Sequence, residues 1–238
     1  MVDPPSPKPR RSSRAIWAES IGVAVAAGVY GLSFGVLSTT AGLSVAQTSF
    51  LSLCMFTGAS QFALIGVIAA GGNPFAAAAT AGLLGLRNAF YALRLNSLLA
   101  YRWPQRLLAA QLTIDESTAM AVAQQHPDDA RLAFWSTGGA IFVLWNSATL
   151  IGAVGARSLA APAVFGLDAA APAAFLALLV PRLRTAGSRW IALGAAAVAL
   201  GCQTVLPAGV PILLAGAITA VLAWPDRAEA ALANPEPT

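Results

Sequence analysis

Three groups of residues in this sequence have the chemistry to hold a charged solute. The first is Phe56–Phe62, FTGASQF. Gly58, Ala59, Ser60 and Gln61 lie inside a run, Ser20–Leu86, that contains no Lys, Arg, Asp, Glu or His. Glycine beside Ser and Gln in so apolar a setting predicts an interrupted helix. A broken helix exposes backbone N–H and C=O groups that must find partners away from lipid. The N-terminus of the following half-helix carries partial positive charge and suits a carboxylate. Ser60 and Gln61 add donors at that end. The same residues also suit plain packing, with Gly58 for close approach and Gln61 as an interhelical hydrogen bond.

Arg87 is the second group. It lies about 18 Å along a helix begun at Phe75, past the middle of a hydrocarbon layer about 30 Å thick. An arginine there is costly and often functional. It holds a substrate carboxylate, pairs with an acid, or snorkels to an interface. Asp115 and Glu116 are the third group. They sit in Arg102–Gln125, which is either an interfacial amphipathic helix or a span with buried acids. In the membrane, this pair is the best proton carrier in the chain; on an interfacial helix both acids face water. Asn146, in LWNSATLIG, suits an interhelical hydrogen bond better than a ligand. Glu19 is expected at a solvated membrane edge, and His126 has no assigned role.

Other chemistries find little support. One histidine and two separated cysteines, Cys54 and Cys202, offer no metal spacing, and no disulfide or cofactor is expected. The cysteines read as small buried side chains. No Gly-rich phosphate loop occurs, so direct ATP use is not expected. A membrane-embedded enzyme would need clustered His, Asp or Cys residues, which the sequence lacks.

The elements that position these residues follow from composition. The chain is 57% hydrophobic and 10% charged, against about 25% charged in soluble domains. Ser20–Leu86, Leu132–Ala156 and Trp190–Pro225 are charge-free, and such runs of about 20 residues or more are spanning candidates. The expected class is an all-α polytopic integral membrane protein, since a β-barrel would alternate apolar and polar residues. Lys8, Arg10, Arg11 and Arg14 precede the first span and place the N-terminus in the cytoplasm; the net charge of +4 therefore does not point to nucleic acid. Ala24-Val25-Ala26 mimics a signal cleavage site, but the apolar run continues well past it.

About seven spans are expected, or eight if Arg102–Gln125 crosses. They are Ala15–Ala41, Val45–Ala70 with the interruption, Phe75–Leu95, Leu132–Gly155, Leu167–Val180, Trp190–Leu206 and Pro207–Trp224. His126–Arg131 reads as a polar loop. The transporter domain is expected over 15–225, flanked by a disordered basic tail over 1–14 and a disordered tail over 226–238. A faint repeat at an offset of 124 residues sets Tyr30-Gly31 beside Val154-Gly155 and Gly42-Leu43-Ser44 beside Gly166-Leu167-Asp168. It sets Phe56-Thr57-Gly58 beside Val180-Pro181-Arg182. Two related halves with interrupted helices are a common transporter plan. Whether the halves run parallel or inverted depends on whether Arg102–Gln125 crosses.

The run Gly42–Gly71, GLSVAQTSFLSLCMFTGASQFALIGVIAAG, resembles the signature region of the AzlC family. Arg87, Tyr91, Ile114–Ala119 (IDESTA), Gly166–Leu183 and the Gln203–Pro211 hairpin extend the likeness over roughly Ile16–Trp224. The resemblance implies an inner-membrane permease that exports leucine, isoleucine, valine or related amino acids, with a small hydrophobic partner subunit of the AzlD type. One departure is clear. The family tends to show Asn-x-Arg-His-x-x-Tyr, and this chain reads Gly85-Leu86-Arg87-Asn88-Ala89-Phe90-Tyr91. Arg87 and Tyr91 are kept, while Asn88 stands at the histidine position.

The expected function is export of branched-chain or other apolar amino acids, driven by a proton gradient. The substrate-binding set is Gly58, Ala59, Ser60, Gln61, Arg87, Asn88 and Tyr91, with Asp115 and Glu116 for coupling. Phe56, Phe62 and Phe90 are expected to meet the apolar side chain. The alternatives are export of another small amphipathic solute and a non-transporting membrane scaffold.

Overall fold

The computed structural model describes residues 10–100, 103–156, 176, 179–180, 183–207 and 209–222. Among these the regular elements are all helical. They are α1 (Ser13–Thr40), α2 (Val45–Cys54), α3 (Ala59–Ala69), α4 (Pro74–Leu99), α5 (Trp103–Leu112), α6 (Asp115–Val122), α7 (Pro127–Gly155), α8 (Ala186–Cys202) and α9 (Val210–Leu222). Helices α1 and α7 are long and apolar enough to cross a membrane.

These two helices lie side by side and run in the same direction. At their first end, Arg10 pairs with Asp128 and Asp129 in the first turn of α7. Higher up, Ser20 Oγ shares hydrogen bonds with Ser136 Oγ at 2.7 Å and Thr137 Oγ1 at 2.9 Å. Beyond that the backbones touch. A Cβ on Gly31 would lie 2.7 Å from the Trp145 carbonyl oxygen, and one on Gly35 or Gly152 would collide with the carbonyl of Thr149 or Leu32. Small residues are what permit this approach.

Around that pair the chain builds two helical hairpins that enter from opposite ends. The first follows α1. Gly42, at φ 98°, turns the chain, and Ser44 with Gln47 forms a capping box at the start of α2. Helix α2 descends beside α7: Ser52 bonds Thr149 at 3.3 Å and Phe56 stacks edge-on against Phe142. The helix then stops, and α3 climbs back. Phe62 packs on Phe34, and Ile65, Ile68 and Ala69 line a space with Leu37, Thr40 and Ala41 at the far end of α1. Gly71 at φ 77° and Asn73, which caps α4 ahead of Pro74, turn the chain again.

Helix α4 then runs from the far end to the first. Its last residues, Leu95 and Leu99, cluster with Ala130 and Phe134 of α7, and the Leu99 carbonyl accepts from Arg131 Nε at 3.0 Å. The second hairpin starts there. Helix α5 climbs until Leu112 meets Gly138, and α6 returns with Ala121 packed among Ala130 and Phe134. So α1 plus the first hairpin, and α4 plus the second, follow the same order of elements in opposite directions. At the far end, Gly209 between α8 and α9 packs on Val67 and Ala76.

Several sequence expectations change. Val45–Ala70 is not a span: both its ends lie at the far end of the molecule. Arg102–Gln125 neither crosses nor lies flat; its described part is a hairpin from the first end. The expected His126–Arg131 loop is helical from Pro127, because proline suits the first helical position. Cys54 is exposed rather than buried, Cys202 is half-buried, and both are free. Helix α1 begins at Ser13, and Arg10 and Arg11 ahead of it make ion pairs. The tail segments 1–9 and 226–238, most of Leu167–Val180, and the repeat partners Gly166–Asp168 and Pro181-Arg182 lie outside the described residues.

The α1–α7 contact makes a stability prediction. Gly35→Ala should destabilise the purified protein by about 1–3 kcal/mol through overpacking. Gly22→Ala, where a Cβ meets nothing within 4 Å, should be neutral or slightly stabilising. Thermal unfolding in detergent compares the two.

Candidate functional site

The tips of the two hairpins meet at Arg87, about 20 Å along α4 from Pro74 and close to that helix's midpoint. The first tip, Met55–Gly58, is held open by backbone geometry. Gly58 takes φ 53° and ψ −82°, a conformation that residues with a Cβ rarely adopt. No side chain caps the start of α3. The second tip is Thr113-Ile114. There the Ser117 hydroxyl accepts from the Ile114 N–H at 3.1 Å and donates to the Leu112 carbonyl at 2.6 Å.

Arg87 ties the tips together. Its Nη1 donates to Asp115 Oδ2 at 2.6 Å and its Nη2 to the Thr57 carbonyl at 3.5 Å. A third bond links the hairpins directly, from Gln111 Nε2 to the Leu53 carbonyl at 2.7 Å. Gln61 Nε2 donates to the Leu51 carbonyl at 3.4 Å. Gln111 thus bonds a carbonyl of the last turn of α2, whose carbonyls lack onward helical partners, while Gln61 adds a second, longer bond to the Leu51 carbonyl, which already accepts from the Met55 N–H at 2.9 Å.

A cavity of about 60 Å³ lies between the tips. It has room for a few water molecules. Its polar edge is Thr57, Gly58, Ala59, Arg87, Asp115 and Glu116, and its apolar wall is Ala27, Phe56, Ile114, Ile141 and Trp145. Several buried polar atoms here lack a hydrogen-bond partner: Thr57 Oγ1, Arg87 Nε, Asp115 Oδ1 and Trp145 Nε1. Buried polar groups are normally satisfied, so this concentration marks a place where a ligand or water completes the bonding.

A family model described as AzlC protein matches residues 22–159, the stretch from α1 to just past α7. The chain belongs to the AzlC family. Both hairpins and Arg87 therefore lie in the part that carries the family pattern. The Inner membrane protein YgaZ of Escherichia coli (strain K12) is 29% identical over 194 residues, covering 75% of this chain and 78% of that protein. No solved structure matches the chain significantly.

Of the residues chosen from sequence, Gly58, Ala59, Arg87, Asp115 and Glu116 line the cavity of this AzlC-family chain. Ser60 and Gln61 are buried beside it and do not line it; Gln61 supports the α2 end instead. Asn88 and Tyr91 lie on α4 outside the cavity lining. Phe56 lines the wall and Phe62 packs behind it on Trp145. Phe90 is 70% exposed, which removes it from the expected side-chain contacts: it leaves α4 on the outer face. Asn146 Nδ2 donates to Phe142 of its own helix, not to a neighbouring one. Glu19 pairs with Arg11.

Trp145, Ile114 and Ile141 were not among the residues singled out. Trp145 offered one signal, an indole N–H in the middle of a charge-free helix, which requires a partner once buried.

Two predictions follow from the geometry. Gly58→Ala should cost about 1–3 kcal/mol by backbone strain, although a Cβ there would meet Trp145 only at 3.7 Å. Gly66→Ala, which has open space and an ordinary helical backbone, should not. Arg87→Gln should cost on the order of 3 kcal/mol by stranding Asp115, and the double variant Arg87→Gln/Asp115→Asn should recover part of it. Melting temperatures of the purified variants read out both.

Proposed function

We propose that this chain is an integral membrane permease that exports branched-chain or other apolar amino acids by proton-coupled secondary transport. It works with a small AzlD-like membrane subunit and acts in the inner (plasma) membrane. The observation that carries this reading is the meeting of two opposed hairpin tips at the Arg87–Asp115 pair. Discontinuous helices that converge from opposite sides, in units of inverted orientation, are how many secondary transporters build a solute site at mid-membrane. Here the site combines an uncapped half-helix N-terminus, a guanidinium, two carboxylates and an aromatic–aliphatic wall.

The surface supports a lipid setting. Val25, Val29, Phe75, Phe90, Leu93, Val143 and Ile151 are all exposed, an apolar display that suits lipid tails rather than water. Charge supports an orientation. Arg10, Arg11, Arg14, Arg94, Arg106 and Arg131 lie toward the first end, whereas the far-end turns at 41–44 and 70–73 carry no charge. By the positive-inside rule the first end, with the N-terminus, is cytoplasmic. Because Val45–Ala70 turns back, α4 ends beside the start of α7, which brings Arg94 and Arg106 to the same end as the N-terminus.

In this reading the substrate carboxylate meets Arg87 and the start of α3, and the proton travels on the Asp115–Glu116 pair. The amino-acid cargo, the outward direction and the partner rest on family membership. The test is efflux of preloaded radiolabelled leucine from cells expressing the chain with and without its small partner. Efflux should require the partner and fall about tenfold or more in Arg87→Gln at equal membrane abundance. Well-expressed wild type with its partner and no efflux would sink the leucine assignment. Unimpaired function in Arg87, Gln61 and Asp115 variants would favour the scaffold instead.

A further inference from the structure

The polar edge of the cavity is two-sided. Arg87 Nε, Trp145 Nε1 and the uncapped start of α3 are donors or positive ends without partners. Asp115 Oδ1 is a buried acceptor without a partner, with the Glu116 carboxylate lining the same cavity. Trp145 is only 5% exposed, and Gly58 approaches the edge of its ring. The cavity therefore has one side complementary to an anion and another complementary to a cation. The Arg87–Asp115 bond of 2.6 Å joins the two sides.

We infer that Asp115 is the residue that reads the substrate's α-ammonium group, while Arg87 reads its α-carboxylate. This rests on the amino-acid permease reading above. The bound head group takes the place of the direct Arg87–Asp115 bond, each charge of the zwitterion pairing with one member of the pair. Net charge is the argument. The Arg87–Asp115 pair is neutral and a zwitterion is neutral, so loading leaves the charge of the site unchanged in a setting where an added charge is costly. A monocarboxylate would occupy Arg87 and leave Asp115 stranded; an amine without a carboxylate would do the reverse. The substrate's side chain would then lie toward the wall of Phe56, Ile114 and Trp145. With Asp115 engaged by ammonium, Glu116 is the carboxylate left for the proton.

The test is equilibrium binding to the full chain in lipid nanodiscs, co-purified with its small subunit, with radiolabelled leucine as probe. Leucinamide and 4-methylpentanoate, which lack the carboxylate and the ammonium respectively, are the competitors. On wild type, each should compete at least about tenfold more weakly than leucine. Asp115→Asn keeps the shape and removes the charge. It should weaken leucine by about tenfold or more while binding 4-methylpentanoate at least as well as wild type does. Equal loss of both ligands in folded Asp115→Asn, or an unchanged preference, overturns the assignment and leaves the permease reading standing. If that variant does not fold, the wild-type competitors decide: 4-methylpentanoate competing as well as leucine overturns it. Wild type that binds no amino acid overturns both the assignment and the reading beneath it.

Discussion

A single ion pair at the centre of the molecule organises everything around it. Arg87 cannot be left unpaired in an apolar interior, and Asp115 is the acid that reaches it. Bringing Asp115 to the middle of α4 requires the chain after α4 to turn back halfway, which is the second hairpin. The other guanidinium nitrogen finds a backbone carbonyl at the break in the first hairpin. Thr57 supplies it from the first hairpin. The tips accordingly carry Gly58 and the Gln111 amide, each of which absorbs a cost of breaking a helix away from water.

The rigid reference for these tips is the α1–α7 contact. Backbone touches backbone through Gly31, Gly35 and Gly152, which fixes the two long helices in register. Phe34 of α1 and Trp145 of α7 then stack on each other with Phe62 of α3 against both. The first hairpin is thereby seated on the α1–α7 pair. The second is seated on the other half of α7 through Phe134 and Gly138.

Much of the site was legible in the sequence because its residues violate the local rule. Gly58 with Ser60 and Gln61 in a charge-free run, and Arg87 at its close, stand out by type alone, and the break at FTGASQF is where the structure has it. The direction of the chain after each break was not legible. A kinked span and a hairpin have the same composition, since both bury apolar half-helices. What separates them is contact between distant elements, such as Phe62 with Phe34 and Ala121 with Phe134. The same limit hid the inverted units: their tips share little beyond a threonine, Thr57 and Thr113, while the offset of 124 residues drew on glycines common throughout the chain. Phe90 was misplaced because a helix position alone does not say which face meets a cavity.

The central claim is that two hairpins enter from opposite sides and meet at Arg87. The most direct measurement is side-specific labelling of single cysteines in cells, after Cys54 and Cys202 are replaced by serine. Leu43→Cys and Ala70→Cys mark the two ends of the first hairpin, and Trp103→Cys and Gln125→Cys mark those of the second. The account predicts that an impermeant thiol reagent labels Leu43→Cys and Ala70→Cys from outside. It predicts that Trp103→Cys and Gln125→Cys react only after the membrane is permeabilised. Labelling of Leu43→Cys and Ala70→Cys from opposite sides would make Val45–Ala70 a true span and contradict the account.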